Sequence, residues 1–155
     1  MNSFVHLHNH SEYSLLDGMS NLEKMVAKVK ANNQPGIAIT DHGNMYGAVE
    51  FYKLAKKYEV KPIIGLEAYC AIEDSLKKTN EEKSPYHLTL LAENEKGYKN
   101  LMKLTTHANL NGFYYKPRID KNILEKNNEG IIVLSGCPSS ELSRSIISTN
   151  EEKIK

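Results

Sequence analysis

Short apolar runs alternate with amphipathic helical patterns along almost the whole 155-residue chain. This alternation is typical of α/β proteins, in which helices cover a mainly parallel sheet. About five βα units are predicted. The predicted strands cover residues 3–9, 36–40, 60–69, 87–92 and 130–136. The predicted helices cover residues 20–33, 46–58, 95–110, 120–127 and 138–148. In such a fold the working residues lie in the loops that follow the strands.

Local patterns predict how several of these elements begin and how they are joined. Ser20 and Glu23 have capping-box spacing at the start of the first helix, and Asp120 is expected to cap the fourth. Residues 73–85 are predicted to form an exposed loop, and residues 112–118 a turn-rich connector. The last helical pattern meets no stop residue, so we expect a domain that is truncated at its C-terminus.

Composition limits the functional classes. Hydrophobic residues make up 40% of the chain and charged residues 25%, which is typical of a soluble globular protein. The formal charge of +1 offers no broad basic surface for nucleic acid. Cys70 and Cys137 form no CxxC motif, which favours a reducing, cytoplasmic location. No secretion signal is present, and no apolar run approaches the roughly 20 residues of a membrane span.

Side chains that suit metal binding recur at the ends of four predicted strands. They are His8 and His10, Asp41 and His42, Glu67, and Cys137. His8 and His10 share one strand face, because side chains alternate along a strand. Imidazole, carboxylate and thiolate together suit zinc or another first-row divalent ion, and one carboxylate can bridge two ions. The pattern therefore predicts a multinuclear metal site.

Each of these residues also has a simpler explanation. The alternating histidines could form a solvated strand face, Asp41-His42-Gly43 could be a plain turn, and Cys137 could be a small buried side chain. A nucleophilic site, with Cys137 or Ser135 attacking and a histidine as base, is a further alternative. The sequence "SGCPS" lacks the G-x-S-x-G spacing of a nucleophile elbow. Joint placement at one end of the βα array favours the metal site.

Five phrases of the sequence, in order, resemble one known family. They are "HLHNHSEYSLLDG", "AITDHGNMYGAVEFYKLAKKYEVKPIIGLEAY", "HLTLLAENEKGYKNL", "GFYYKPRID" and "IIVLSGC". Together they closely resemble the PHP (polymerase and histidinol phosphatase) domain at the N-terminus of bacterial DNA polymerase III α subunits. The resemblance runs from Phe4 to about Ser143, and the whole chain, 1–155, is interpreted as an N-terminal part of such a domain.

The resemblance implies part of a distorted (β/α)₇ barrel that holds up to three ions, Zn²⁺ or alternatively Mn²⁺ or Mg²⁺. The metal ligands it implies are His8, His10, Asp17, His42, Glu67, His87 and Cys137. It also implies Asp41 and Arg118 as catalytic residues. Asp41 would lie beside a ligand, and Arg118, with Lys116, would meet the substrate phosphate or alternatively lie on the surface. His6 and His107 match no ligand position. The family's last motif, Asp-x-His, is absent after Cys137, so we expect an incomplete centre with weak activity by itself.

Two functions are compatible with that resemblance. The first is a metal-dependent phosphoesterase, a 3′–5′ exonuclease, within a DNA-directed DNA polymerase (a nucleotidyltransferase). The second is a catalytically silent, metal-stabilised module that docks a proofreading exonuclease subunit. Either function implies DNA and other replicase subunits as partners and no membrane. A stand-alone phosphatase is a third possibility, against which the polymerase-like phrases "YGAVEFYKLAK" and "GFYYKPRID" argue.

Overall fold

A computed structural model describes residues 4–15 and 17–149. Within them, five α-helices alternate with six strands. The helices are α1 (Leu22–Ala31), α2 (Ala48–Lys57), α3 (Glu95–Leu110), α4 (Lys121–Glu125) and α5 (Glu141–Ile147). The strands are β1 (Gly36–Ile39), β2 (Lys61–Cys70), β3 (Tyr86–Ala92), β4 (Phe113–Tyr114), β5 (Lys116–Ile119) and β6 (Ile131–Leu134). The alternation confirms the predicted α/β class. No helix in these ranges is long and apolar enough to cross a membrane.

Strand β2 organises the sheet, because three other strands pair with it. β1 runs parallel to its first half and β5 parallel to its last two residues. β3 pairs antiparallel with the opposite edge, and β6 pairs antiparallel with β3. β1, β2, β5 and β6 therefore point the same way, but the prediction of a mainly parallel sheet is wrong for the pairings: among the described strands two pairs are parallel and three are antiparallel. β3 runs against them, as does the short β4 beside β5.

The reversed direction of β3 follows from the connection that precedes it. No α-helix lies between β2 and β3; the connection contains only the short 3₁₀ turn Glu81–Lys83. Parallel neighbours need a crossover, usually a helix, whereas antiparallel neighbours need only a loop. The reversal places the start of β3 beside the end of β2, where Tyr69 pairs with His87.

Two apolar clusters hold the helices to the sheet. The first joins α1 and α2 to β1 through Leu22, Val26, Val29, Ile37, Ile39, Phe51, Ala55 and Val60. The second joins α3 to the central strands through Leu66, Ala68, Leu90, Leu101, Leu104, Ala108 and Ile119. Leu22, Val26 and Val29, which recur at helical spacing, are buried on one face of α1. Burial of this apolar surface is the main force that fixes the strand ends relative to one another.

The N-terminal segment follows β1 without forming the strand predicted over residues 3–9, of which residue 3 lies outside the described ranges. A single bridge joins His6 to Ile37, and only two backbone hydrogen bonds, to the carbonyls of His6 and Asn9, tie the segment to β1. The N–H of Asn9 donates to the Thr40 hydroxyl, and the Asn9 amide donates to the Ala38 carbonyl. Hydrogen bonds that involve side chains thus take the place of the backbone hydrogen bonds that a paired strand would form with β1.

Of the two predicted helix caps, the one at α1 is wrong and the one at α4 is confirmed. Asn21, and not Ser20, caps α1, with its side chain accepting from the N–H of Lys24. Glu23 does not complete a capping box, since it contacts Lys57 and Tyr58 on α2 and its flank. The expectation for Asp120 is confirmed: its carboxylate accepts from the N–H of Ile123 at the start of α4.

The segments between the main strands are more ordered than predicted. Residues 73–85 are not simply an exposed loop, because Ser75 and Glu82 are buried within them. The connector at 112–118 contains β4 and the start of β5. The physical reason for the first difference is Arg118, whose buried guanidinium donates to Ser75, Lys77 and Glu82, and the second follows from the pairing of β5 with β4 and β2.

Candidate metal centre

The candidate centre is built on Glu67, a buried carboxylate in the middle of the sheet. Glu67 lies on β2, opposite Thr89 of β3 on one edge. On the other edge a parallel bridge joins it to His42, three residues beyond the end of β1. Its side chain is only 1% exposed. Burial of an ionised carboxylate costs free energy unless the carboxylate is paired, so the groups around Glu67 determine whether it is stable as an anion.

Four imidazoles surround this one carboxylate. His8 Nε2 contacts Oε2 of Glu67, and His10 Nε2 lies 3.6 Å from the same oxygen. The other oxygen, Oε1, lies 2.6 Å from His42 Nδ1 and 2.7 Å from His87 Nδ1. The ligand atoms thus form two groups that share Glu67: one with His8 and His10, the other with His42 and His87.

The antiparallel pairing of β3 explains why His87 joins this cluster. His87 lies near the start of β3, which in a parallel strand would be the wrong end for the site. Because β3 runs against β2, His87 lies opposite Tyr69, two residues beyond Glu67 and on the same face. Gly136 follows β6 with a φ of 85°, and a Cβ there would approach the His87 carbonyl oxygen to 2.9 Å. This turn brings Cys137 Sγ to 3.5 Å from His87 Nδ1.

The turn that follows β1 fixes His42. Gly43 has a φ of 63°, a left-handed conformation that favours glycine, and its N–H donates to the Glu67 carbonyl. Asp41 is buried and points away from the cluster. Its carboxylate accepts hydrogen bonds from the Ser11 N–H, the Ser11 hydroxyl and the Ser14 hydroxyl. The structure therefore places Asp41 behind the ligands, where it orders the first loop.

Asp17 and Cys137 flank the cluster without belonging to either group of ligand atoms. Asp17 is 60% exposed, and its carboxylate lies 2.9 Å from His42 Nε2. His42 therefore faces Glu67 with one nitrogen and Asp17 with the other. A carboxylate on the far nitrogen of a ligating histidine orients the ring and fixes its tautomer. Of the seven predicted ligands, five converge and these two lie at the rim.

The charges in the cluster shift the protonation of its members. Burial by itself would raise the pKa of Glu67, but the imidazoles of His10, His42, His8 and His87 lower it far below its usual range. The Glu67 carboxylate in turn raises the pKa of His42 above its ordinary value, and Asp17 adds to this, while burial acts in the opposite direction. Glu67 is therefore a permanent anion at the centre of the cluster.

The residues present fit divalent metal ions. His42 Nδ1 and Glu67 Oε1 are buried and make no hydrogen bond within the described part of the chain, although they lie 2.6 Å apart. Buried polar atoms without hydrogen bonds are rare in proteins, and a shared cation would satisfy both atoms. Imidazole and carboxylate are also ligands that zinc and other first-row ions prefer.

Arg118 is not brought to this site, which corrects the expectation that it meets a substrate phosphate. Its side chain is fully buried, and its donors contact Glu82 and the carbonyls of Gly112, Ser75 and Lys77. No donor is left for a substrate. Lys116 is better placed, since its Nζ lies 5.3 Å from the centre of the Tyr69 ring, which itself packs on two of the clustered histidines.

Tyr69 and Ser14 also contact the cluster, although neither is among the residues predicted for the site. Tyr69 packs against His42 and His87, and burial, with the charges of Glu67 and Asp17, raises its pKa to about 12. Its position two residues after Glu67, on the same strand face, was the available signal. Ser14 carried no such signal, because its contacts depend on how the first loop folds. The remaining histidines lie elsewhere: His6 packs against Phe4, and His107 contacts the Ser75 hydroxyl.

The chain matches the family model described as the PHP domain over residues 6–155. The chain belongs to the PHP domain family. It is 51% identical over 154 residues to the DNA polymerase III subunit alpha of Borreliella burgdorferi and 45% identical over 153 residues to that of Helicobacter pylori. These matches cover 98% and 99% of the chain but only 13% of each relative. Membership of the PHP family confirms the predicted fold class, an α/β chain that forms part of a PHP barrel.

The PHP chain also shares structural likeness with an amidohydrolase from Chromobacterium violaceum, solved with bound sulfate and no metal. The two agree with a TM-score of 0.46 and 18% sequence identity, over 66% of this chain and 34% of the other. At that level of likeness, the family assignment rests on the sequence match.

Proposed function

We propose that this PHP chain is part of a DNA polymerase III α subunit and that it acts as a metal-dependent phosphoesterase, a 3′–5′ exonuclease on DNA. The observation that carries the proposal is the buried Glu67 carboxylate shared by four histidines. The names of the relatives at 45–51% identity support the polymerase context. DNA and the other replicase subunits are the partners it implies, and the bacterial cytoplasm the location.

Each oxygen of Glu67 would hold one ion together with a different pair of histidines. Oε2 faces His8 and His10, and Oε1 faces His42 and His87, so the carboxylate is placed to bridge two positions. Cys137 and Asp17 at the rim extend the set toward the third ion of the complete domain. Zn²⁺ suits these ligands best, with Mn²⁺ and Mg²⁺ as alternatives. Divalent ions bound at such a site lower the pKa of water and stabilise charge on phosphate oxygens.

Access to the cluster also suits a phosphodiester strand. A groove of about 730 Å³ opens beside His8, His10 and Asp17. Lys24 and Lys28, one helical turn apart on α1, line it. Both are exposed, and neither has an ion-pair partner among the described residues. Lysines in this position attract phosphates through charge.

The test is a primer-shortening assay on the intact polymerase expected to carry this segment. With Zn²⁺ or Mn²⁺ the wild-type protein should remove nucleotides from a 5′-labelled primer, and His10→Ala should abolish the removal. His107→Ala is the control, since His107 lies on α3, outside both ligand groups and outside the groove. Unchanged degradation by His10→Ala would overturn the catalytic proposal.

A second candidate is a structural metal that supports docking of a proofreading subunit. The small number of backbone hydrogen bonds between the first segment and β1 favours this structural role. Ions held by His8 and Glu67 would tie that segment to the sheet. In that case a chelator or His10→Ala should lower the melting temperature of the protein. Wild-type polymerase should then show no primer shortening that depends on metal.

A further inference from the structure

Ser14 contacts two residues of the candidate centre and the carboxylate behind it. It is fully buried in the first loop. Its hydroxyl donates to Asp41 Oδ1 at 2.7 Å and accepts from the backbone N–H of His42 at 3.1 Å. The same oxygen lies 3.3 Å from His10 Nδ1. We propose that Ser14 is a positioning residue that holds His10 in its Nδ1–H tautomer, with Nε2 presented to the cluster.

The Ser14 hydroxyl has a single proton, and the acceptor of that proton determines whether His10 Nδ1 must donate or accept. A serine hydroxyl offers one donor and two acceptor lone pairs. Asp41 is an acceptor already surrounded by donors, since the N–H and hydroxyl of Ser11 also reach it. The Ser14 proton therefore goes to Asp41, and the oxygen can only accept from His10. His10 Nδ1 must then carry its ring proton.

The tautomer leaves the other nitrogen of His10 free to act as a ligand. His10 Nε2 lies 3.6 Å from Glu67 Oε2, within the group that includes His8 but beyond hydrogen-bond distance, so the carboxylate does not hold a proton on that nitrogen. Partners on the far nitrogen of ligating histidines fix the ring and raise metal affinity. Asp41 acts on His10 only through Ser14, because it accepts the proton of the Ser14 hydroxyl. This inference deepens the proposed metal site and rests on it, but the tautomer itself is measurable without metal.

The experiment compares Ser14→Ala with Ser11→Ala in the metal-free chain. Both serines are buried and both donate to Asp41, but only Ser14 contacts His10. Long-range ¹H–¹⁵N correlation spectra at a pH of about 8.5, above the ordinary histidine pKa, report which ring nitrogen is protonated. Wild type and Ser11→Ala should show His10 with a protonated Nδ1, and Ser14→Ala should shift it toward Nε2–H.

Zn²⁺ affinity, measured by chelator competition, is the second readout. Ser14→Ala should weaken it by about 10- to 100-fold, and Ser11→Ala by much less. A wild-type His10 protonated on Nε2 overturns the inference even if Ser14→Ala does not fold. A folded Ser14→Ala that retains the wild-type tautomer also overturns it. A correct tautomer in a chain that binds no Zn²⁺ would instead contradict the proposed function and leave the Ser14–His10 contact standing.

Discussion

His42 and Glu67 are bridged through their backbones, and their buried side-chain atoms Nδ1 and Oε1 lie 2.6 Å apart without a hydrogen bond. The bridge continues the pairing of β1 with β2, so the sheet itself sets the distance between the two residues. The same carboxylate also contacts His8, on the first segment. One strand residue thus gathers ligands from several parts of the chain.

The first prediction concerns the shared carboxylate. Glu67→Gln should weaken Zn²⁺ binding by more than about 100-fold, because both ligand groups lose their anion and outer-shell changes alone cost about 10- to 100-fold. Competition with a chromophoric chelator measures the affinity. Glu93→Gln, an exposed glutamate just after β3, is the control and should bind as wild type does. Equal affinity in Glu67→Gln would rule out Glu67 as a bridging ligand.

The two cysteines should differ in reactivity, and metal should protect only one. Burial raises the pKa of Cys70 to about 11, so it should resist a disulfide reagent in the folded chain at a pH of about 8. Cys137 is half-buried beside His87 and should react. Bound Zn²⁺ should slow the modification of Cys137, followed by mass spectrometry. Full reactivity with Zn²⁺ present would remove Cys137 from the ligand set.

The lysines of the groove should contribute to strand binding by attracting phosphates. Lys24→Gln combined with Lys28→Gln should weaken binding of a fluorescent thymidine oligonucleotide. For each lysine that no longer reaches a phosphate, the slope of log affinity against log salt should become shallower by about 0.7. Fluorescence anisotropy across a salt series gives that slope. Lys99→Gln with Lys103→Gln, at the same spacing on α3, is the matched control; an equal effect there would exclude a specific role for the groove.

Asp120 should make part of the fold sensitive to acid. Burial would raise its pKa, but hydrogen bonds from Ser75 and from the Ile123 N–H hold it below its ordinary value. Its stabilising effect is therefore full above the unfolded value of about 3.9 and is lost as the pH falls through the lower folded value.

Urea unfolding of Asp120→Asn tests this effect. The variant should be less stable than wild type at pH 7 by about 1.5–3 kcal/mol, the range of hydrogen bonds to charged groups. The difference should shrink as the pH falls below 4. A difference that does not depend on pH would show that the charge of Asp120 is not what stabilises the fold.

Short-range patterns in the sequence predict the α/β class and four of the five clustered ligands, His8, His10, His42 and Glu67, whereas His87 is implied only by the family resemblance. Periodicity locates the strands, and the chemistry of His8, His42 and Glu67 marks their ends. The direction of β3 is a long-range property, and nothing local to His87 encodes it. Only pairing with β2 shows that the start of β3 lies at the site.

The fate of Arg118 depends in the same way on a distant partner. Its motif, "YYKPR", suits a surface that meets phosphate, but the Glu82 carboxylate and four backbone carbonyls close around the guanidinium. Glu82 lies in a stretch whose charge predicts exposure. A buried pair of this kind is recognisable only once both segments are placed.

The most direct test of the metal centre is anomalous X-ray scattering from crystals of the chain grown with Zn²⁺. We predict anomalous peaks on both sides of Glu67, one near His8 and His10 and one near His42 and His87. The Glu67→Gln protein, treated identically, should lose both. Absence of any peak at Glu67 in the wild-type crystals, with Zn²⁺ present, would contradict a metal centre at this carboxylate.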